Sequence, residues 1–142
     1  MTSQENALPR EIFLSHSVKD HAFTTRIAEL LRDHDRTVWY APNELVGGDF
    51  WLDELGRALD RCDWFLVVLS PNSIKSRWVK SEVRFALSEP KFEGRIVPIL
   101  YKTCPFRELS WVLGSIQHVD FTKGFKKGSE DLLKIWDLEV KK

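Results

Sequence analysis

The chain has 142 residues, 43% of them hydrophobic, which suits one domain with a packed core. Its 21 basic and 21 acidic side chains give a formal net charge of zero, which argues against nucleic-acid binding and against a general attraction to anionic membranes. Two cysteines, Cys62 and Cys104, form no CxxC pair, which indicates a reducing compartment and excludes a disulfide framework.

The chain begins with a polar segment, residues 1–10, that lacks the apolar stretch of a secretory signal. We expect this segment to be a flexible lead-in and residues 11–142 to form a single cytoplasmic domain. The longest apolar run, residues 64–69, is the length of a strand and far shorter than a membrane span. The sequence therefore predicts a domain that contacts neither membrane nor nucleic acid.

Short apolar runs alternate with amphipathic segments along the rest of the chain. The first half is predicted to contain a strand at 11–15, a helix at 19–34, a strand at 36–40, a loop at 41–50, and a helix marked by Leu52, Leu55, Leu59 and Cys62. The second half is predicted to contain a strand at 64–69, a break at 70–73, a helix at 74–87, a strand at 95–101, an irregular stretch with one short helix at 102–115, a strand at 116–121, and a terminal helix marked by Leu132, Leu133, Ile135, Trp136 and Val140.

Two local signals refine these elements. Ser17 precedes Asp20 by three residues, as in a capping box at the start of the first helix, with Asp in place of the usual Glu. Pro98 lies inside the fourth predicted strand, where we expect a bulge or a position without a ladder hydrogen bond.

Five strands separated by helical segments predict a mostly parallel sheet covered on both faces. At this length we expect a flavodoxin-like three-layer sandwich, with a five-stranded parallel sheet in the order 2-1-3-4-5. Ligands of such sheets bind outside the carboxyl ends of the strands, where the strand order reverses between strands one and three. Residues 15–17, 41–50 and 70–82 are predicted to meet there.

Those same segments carry a family resemblance. They read EIFLSH at 11–16, ELVGGDFW at 44–51, VVLSP at 67–71 followed by SRWVKSE at 76–82, and RIVPI at 95–99. Together, in this order, they resemble Toll/interleukin-1 receptor (TIR) domains, over about residues 11–140. The resemblance implies a domain that associates with other TIR domains in immune or cell-death signalling, with a sensing or oligomerising domain in the same longer protein.

The resemblance also implies one of two functional kinds. Some TIR domains are scaffolds that act by self-association, whereas others, including many bacterial members, cleave NAD⁺ at the nicotinamide–ribose bond. The cleaving kind carries a glutamate four residues after a tryptophan on the third helix, and Glu82 follows Trp78 at that spacing. The sequence thus resembles the NAD⁺-cleaving kind, for which NAD⁺ is a substrate and no cofactor is expected.

The chemistry of this cleavage requires few groups. The bond breaks through an oxocarbenium-like transition state, as in glycoside hydrolysis, and the pyridinium departs neutral, so that no general acid is needed. One carboxylate can stabilise the growing positive charge, and Glu82 is the catalytic candidate. The residues expected to contact the substrate are Trp78, Ser15, His16, Ser17, Trp39, Ala41, Leu45, Gly48 and Phe50.

Plainer interpretations of the same residues remain open. Trp78 and Glu82 are at helical spacing and could be an ordinary surface pair, while Phe50 and Trp39 could be core aromatics. The alternative function is a non-catalytic TIR scaffold. A metal site is not predicted, because no His or Cys pair has ligand spacing. The missing GxSxG motif leaves Ser–His–Asp hydrolysis unsupported, and the missing GxxxxGK[ST] and GxGxxG motifs disfavour ATP hydrolysis and hydride transfer.

Two further classes of protein share features with the predicted domain. A response-regulator receiver has the same strand order, but it needs an acidic cluster where this chain has Ser15 and His16, and an aspartate where it has Ser70 and Pro71. A nucleoside deoxyribosyltransferase-like enzyme shares the glycosidic chemistry and a catalytic glutamate, but the remaining motifs do not support it.

Overall fold

A computed structural model describes residues 8–41 and 49–140, although the side chains of residues 49–52 fall outside that description. Pro9, within the predicted lead-in, is buried, and the backbone N–H of Arg10 donates to the Asp63 carboxylate at 3.0 Å. Residues 1–7 lie outside the described part of the chain.

The sheet has five parallel strands in the order β2-β1-β3-β4-β5, which confirms the predicted fold class. The strands are β1 (Ile12–Ser15), β2 (Val38–Tyr40), β3 (Trp64–Leu69), β4 (Ile96–Leu100) and β5 (Val119–Asp120). Ser15, the last residue of β1, pairs with Val67 of β3. The strand order therefore reverses beside the carboxyl end of β1.

Within residues 8–41 and 49–140, four α-helices and five short 3₁₀ segments accompany the strands, and the last helix follows β5. The α-helices are α1 (His21–Asp33), α2 (Asp49–Arg61), α3 (Arg77–Ser88) and α4 (Phe125–Lys134). The 3₁₀ segments are Val18–Asp20, Ser73–Lys75, Pro90–Phe92, Phe106–Glu108 and Trp111–Ser115.

Two hydrophobic clusters fill the space on either side of the sheet, because successive strand residues point to opposite faces. Leu14, Leu66 and Val68 pack with apolar residues of α1 and α4. Phe13 and Phe65 pack with apolar residues of α2 and α3. The result is the three-layer sandwich predicted from the alternating pattern.

The carboxyl-terminal prediction is wrong in its boundaries. The last helix begins at Phe125 and ends at Lys134, so Trp136 and Val140 lie beyond it. Asp137 has a φ of 58°, and the N–H of Leu138 donates to the carbonyl of Leu133. This Schellman-type ending stops the helix while Trp136 still reaches the core. The fifth strand is also shorter than predicted, because only residues 119–120 pair with β4.

The predicted capping box is also absent. Ser17 accepts a hydrogen bond from the N–H of Lys19 at the start of a 3₁₀ turn, and α1 begins only at His21. The Asp20 side chain does not reach back to Ser17. It binds Ser70 and Asn72, in the loop after β3, and joins two segments distant in sequence.

Candidate functional site

The central feature of the site is a carboxylate buried at the carboxyl end of the sheet. Glu82 is only 7% exposed and lies on the buried face of α3 with Val79, Val83 and Ala86. The helix begins at the Ser76 cap, whose hydroxyl accepts from the N–H of Val79 at 3.2 Å. The helical spacing that buries Val79 therefore also brings Glu82 inward.

Glu82 is held by a single described hydrogen bond. The hydroxyl of Ser15 donates to Oε1 of Glu82 at 2.6 Å, and both side chains are buried. Among the described residues no other group donates to this carboxylate, so Oε2 is left for a ligand. This hydrogen bond links the end of β1 to the buried face of α3, although the two residues are 67 positions apart in sequence.

Burial changes the acidity of this group. Removal from water disfavours the charged form and raises the pKa of Glu82 from 4.5 to about 7, while the hydrogen bond from Ser15 opposes that rise. Near neutral pH both the protonated and the ionised carboxyl are therefore populated. A carboxyl poised in this way beside a cavity is a common feature of functional sites.

A cavity of about 120 Å³ lies beside Glu82. Six of the residues predicted for the site line it: His16, Ser17, Trp39, Ala41, Trp78 and Glu82. Four other lining residues were not predicted: Phe13, Leu14, Val18 and Ser76. They contribute mainly apolar surface and backbone, and they follow or precede the predicted residues at the ends of β1 and α3.

Two tryptophans shape the cavity differently. Trp78, four residues before Glu82 on α3, is 43% exposed, which leaves much of its ring available to a ligand or a partner. Trp39, on β2, is half-buried and stacks on Phe13 with ring centroids 5.1 Å apart. Trp39 therefore forms a fixed wall, and Trp78 lies at the mouth.

One of the lining residues, His16, contacts a second histidine. His16 is 6% exposed, and its Nε2 is 3.2 Å from Nδ1 of the half-buried His21 on α1. Both rings pack against Tyr40, with centroids 5.8 and 5.5 Å away. Burial, and then the neighbouring His21, lower the pKa of His16 to about 4, so the His16 ring is neutral near pH 7.

A buried polar network joins the segment after β1 to the loop after β3. Asp20 is 4% exposed, and its two oxygens accept hydrogen bonds from the Ser70 hydroxyl and the Asn72 amide. The Ser70 hydroxyl also accepts from the backbone N–H of Ser73 at 3.1 Å. These hydrogen bonds link two segments that each contribute neighbouring residues to the cavity, Ser17 and Val18 on one side and Ser76 on the other.

Three predicted site residues are not placed by the structure. Leu45 and Gly48 lie outside the described residues, and Phe50 belongs to α2 but its side chain is not described. Among the described residues no group of three or more His, Cys, Asp or Glu could hold a metal ion. Likewise, no helix within 8–41 and 49–140 is long and apolar enough to cross a membrane.

A larger cavity, about 990 Å³, opens at the other end of the sheet, where β3, β4 and β5 begin. Trp64, Ile96 and Val119 line it, together with the end of α3 and one side of α4. None of the residues predicted for the site lies there. The smaller cavity is therefore the candidate functional site, because the buried carboxylate of Glu82 lines it.

The family model of the TIR domain matches residues 12–134. The chain belongs to the TIR domain family. A curated relative of this TIR domain is the 2′ cyclic ADP-D-ribose synthase BtTIR of Bacteroides thetaiotaomicron, 30% identical over 94 residues, which are 65% of this chain and 33% of the relative. Another is the TMV resistance protein N of Nicotiana glutinosa, 29% identical over 98 residues, which are 67% of this chain and 9% of that protein.

Solved structures of TIR domains share the fold. The TIR domain of the Toll-related receptor TRR-2 from Hydra magnipapillata superposes with a TM-score of 0.64 at 18% identity, covering 78% of this chain and 82% of that one. The TIR domains of the activated Roq1 resistosome, which directly recognises the pathogen effector XopQ, give a TM-score of 0.56 at 22% identity, covering 92% and 86%. At these identities the likeness shows the fold alone.

Proposed function

We propose that this TIR domain cleaves the nicotinamide–ribose bond of NAD⁺, giving nicotinamide and ADP-ribose, a cyclic ADP-ribose isomer, or both. The observation that carries the proposal is the buried Glu82 carboxylate, bound by Ser15 and facing a cavity. The relative BtTIR is named for synthesis of a cyclic ADP-ribose, which is NAD⁺ without its nicotinamide. A buried carboxylate has no evident use in a purely adhesive domain.

The geometry suggests how the bond would break. A cavity of about 120 Å³ admits the nicotinamide end of the dinucleotide and excludes the whole of it. Oε2 of Glu82, which receives no hydrogen bond from the described residues, would face the ribose. As nicotinamide departs neutral, positive charge grows on the anomeric carbon, and the ionised carboxylate stabilises it in surroundings of low polarity.

The other predicted residues would bind and orient the substrate. Trp78 at the mouth offers an exposed face to a flat ring, and Trp39 offers a fixed wall. Ser15 would keep the Glu82 carboxylate aimed at the ribose. Such fixed placement lowers the barrier, because the reacting atoms need not be reoriented in the transition state.

A non-catalytic scaffold is the second candidate function. Trp78 and Trp111 are 43% and 74% exposed, and exposed tryptophans are typical of surfaces that bind other proteins. The Roq1 structure shows TIR domains within a resistosome. If this candidate holds, the domain associates with other TIR domains and leaves NAD⁺ intact.

The test is to incubate the purified domain with NAD⁺ and identify the products by chromatography. The protein is assayed over a wide concentration range and also clustered on beads, because self-association is expected by resemblance to promote activity. Release of nicotinamide together with ADP-ribose or a cyclic isomer supports the proposal. Intact NAD⁺ under all of these conditions refutes it and leaves the scaffold.

A further inference from the structure

The cavity beside Glu82 carries charge of one sign only. None of its ten lining residues in the described part of the chain is a lysine or an arginine. Burial lowers the pKa of the one lining histidine, His16, to about 4, so this ring is neutral near pH 7. Glu82 is therefore the one described lining residue that takes up a full charge near neutral pH, and that charge is negative.

Basic residues close to the cavity in sequence do not line it. Lys19, Lys75 and Arg77 each follow or precede a lining residue, but all three side chains are exposed and none contributes to the lining. The segment 42–52, whose side chains lie outside the described part, contains no lysine, arginine or histidine in its sequence. This segment therefore cannot supply a cation to the cavity.

The hydroxyl groups of the lining residues are neutral. The hydroxyl of Ser17 accepts from the N–H of Lys19 at 3.3 Å, and that of Ser76 accepts from the N–H of Val79 at 3.2 Å. No described residue accepts the proton of either hydroxyl, so each can donate to a ligand oxygen. The N-terminus of α3, which Ser76 caps, adds a partial positive charge of about half an elementary charge, less than the full negative charge of ionised Glu82.

The two tryptophans of the cavity favour a positively charged ring. Trp39 and Trp78 both line it, and the face of an indole attracts a cation. The pyridinium ring of NAD⁺ carries its positive charge at the nitrogen that is bonded to the ribose. Ionised Glu82 attracts the same charge. The cavity thus suits a cationic aromatic ring and offers no charged partner to an anionic group on that ring.

We propose that this cavity accepts pyridinium rings with an uncharged substituent and excludes rings that bear a carboxylate. This inference rests on the proposed NAD⁺ cleavage, and it restricts the substrate class to NAD⁺ and its neutral-ring analogues, without nicotinic acid adenine dinucleotide. A carboxamide meets neutral donors in the cavity. A carboxylate would be removed from water without a cation to pair with. It would also face the like charge of Glu82, which opposes binding by roughly 10- to 100-fold.

Two lining positions allow the missing cation to be added. Ala41 lies at the end of β2, is half-buried and lines the cavity. Lysine at this position adds a positive charge, and methionine adds a chain of similar length without charge. Val18 also lines the cavity and is 46% exposed, so the same pair of substitutions at Val18 is accommodated at the surface.

The first measurement compares two dinucleotides. The value of kcat/KM is determined for NAD⁺ and for nicotinic acid adenine dinucleotide with wild type, Ala41→Lys and Ala41→Met, each clustered at the same density. The two bases also differ as leaving groups, so the ratio of the two values in each variant is compared with the ratio in wild type. Thermal melting establishes that each variant is folded, and Val18→Lys with Val18→Met replaces the pair if Ala41→Lys does not fold.

The second measurement uses the free bases, so that no bond is broken in the ligand. Nicotinamide and nicotinic acid have nearly the same shape, and each is tested as an inhibitor of NAD⁺ cleavage by wild type. We expect nicotinic acid, which is an anion at neutral pH, to inhibit at least about 10-fold more weakly than nicotinamide. In the first measurement, Ala41→Lys should shift the ratio about 10-fold toward the nicotinic acid dinucleotide, and Ala41→Met should stay within about twofold of wild type.

The outcomes separate this inference from the proposed function. Equal inhibition by the two bases would overturn the inference, and so would a shift in ratio that is the same for the lysine and the methionine variant. In either case NAD⁺ cleavage by wild type would stand. A wild-type chain that leaves NAD⁺ intact would refute the cleavage itself, and the selectivity with it.

Discussion

The substitution Glu82→Gln should stabilise the fold at alkaline pH. The pKa of Glu82 rises from 4.5 to about 7 on folding, so between these values the folded chain holds a proton that the unfolded chain has lost. Stability contributed by this group is present below about pH 4.5 and is lost as the pH rises through 7. Each pH unit between the two values is worth about 1.4 kcal/mol, so ionised Glu82 destabilises the folded state by roughly 3 kcal/mol.

Glutamine keeps the shape of the side chain and carries no charge. The free energy of unfolding of Glu82→Gln minus that of wild type should therefore increase by roughly 2 to 3 kcal/mol between about pH 5 and pH 8, and then level off. Urea denaturation at a series of pH values measures this difference. Glu130→Gln, at an exposed glutamate of α4, is the matched control and should show no such increase.

If the free energies of unfolding of Glu82→Gln and wild type differ by the same amount at every pH, the reasoning is refuted, because Glu82 would then titrate at the same pH in the folded and unfolded chains. Greater stability of wild type than of Glu82→Gln at pH 8 would refute it also. The predicted result would show that the fold carries an unfavourable charge at the site where chemistry is proposed.

Two other substitutions test the site and the packing around it. Ser15→Ala removes the hydrogen bond that lowers the pKa of Glu82, so this pKa should rise. Because the ionised carboxylate is the proposed active form, nicotinamide release should then begin at a higher pH than in wild type, and a downward or absent shift would contradict this. Gly128→Ala places a Cβ against the Phe121 ring and should lower the free energy of unfolding by about 1 to 3 kcal/mol in urea denaturation. Gly56→Ala, on the exposed side of α2 with open space around it, should instead raise that free energy by up to about 1 kcal/mol, and equal effects of the two changes would refute the packing argument.

The fold could be predicted because the sequence carries its periodicities clearly. Strand β3, for example, is a continuous apolar run that ends at Ser70 and Pro71, and such a run between amphipathic segments is typical of a central parallel strand. Pro98 was expected at a bulge or at a position without a ladder hydrogen bond. The backbone N–H of Tyr101 donates to the Leu69 carbonyl, so the backbone N–H and C=O groups of odd-numbered residues in β4 point toward β3. The nitrogen of Pro98 therefore points toward β5, which pairs only with Ile99 and Leu100, so a proline is tolerated at this position.

The terminal helix could not be bounded from the sequence. Helices commonly end with glycine in the left-handed conformation, and here Asp137 takes that conformation instead. The apolar spacing of Trp136 and Val140 therefore resembled a continuing helix. The capping box predicted for Ser17 and Asp20 was wrong for a related reason. The partners of Asp20 are Ser70 and Asn72, about fifty residues away, and a local capping pattern cannot reveal them.

Six of the ten residues predicted for the site line the cavity beside Glu82, whereas the contacts within the site could not be predicted. Glu82 was singled out by resemblance to the family, and its spacing from Val79 and Val83 is consistent with burial. Its bond to Ser15 depends on how α3 lies across the end of β1, which no local pattern encodes. The contact of His16 with His21 spans the short 3₁₀ turn at Val18–Asp20, which the sequence did not predict.

The central claim is that one buried carboxylate stabilises a cation-like ribose as nicotinamide departs. Its most direct test is the rate of nicotinamide release from NAD⁺ by wild type, Glu82→Gln and Glu130→Gln, each clustered at the same density. We expect wild type and Glu130→Gln to be active alike and Glu82→Gln to be slower by at least about 100-fold. Release by Glu82→Gln at the wild-type rate would contradict the claim.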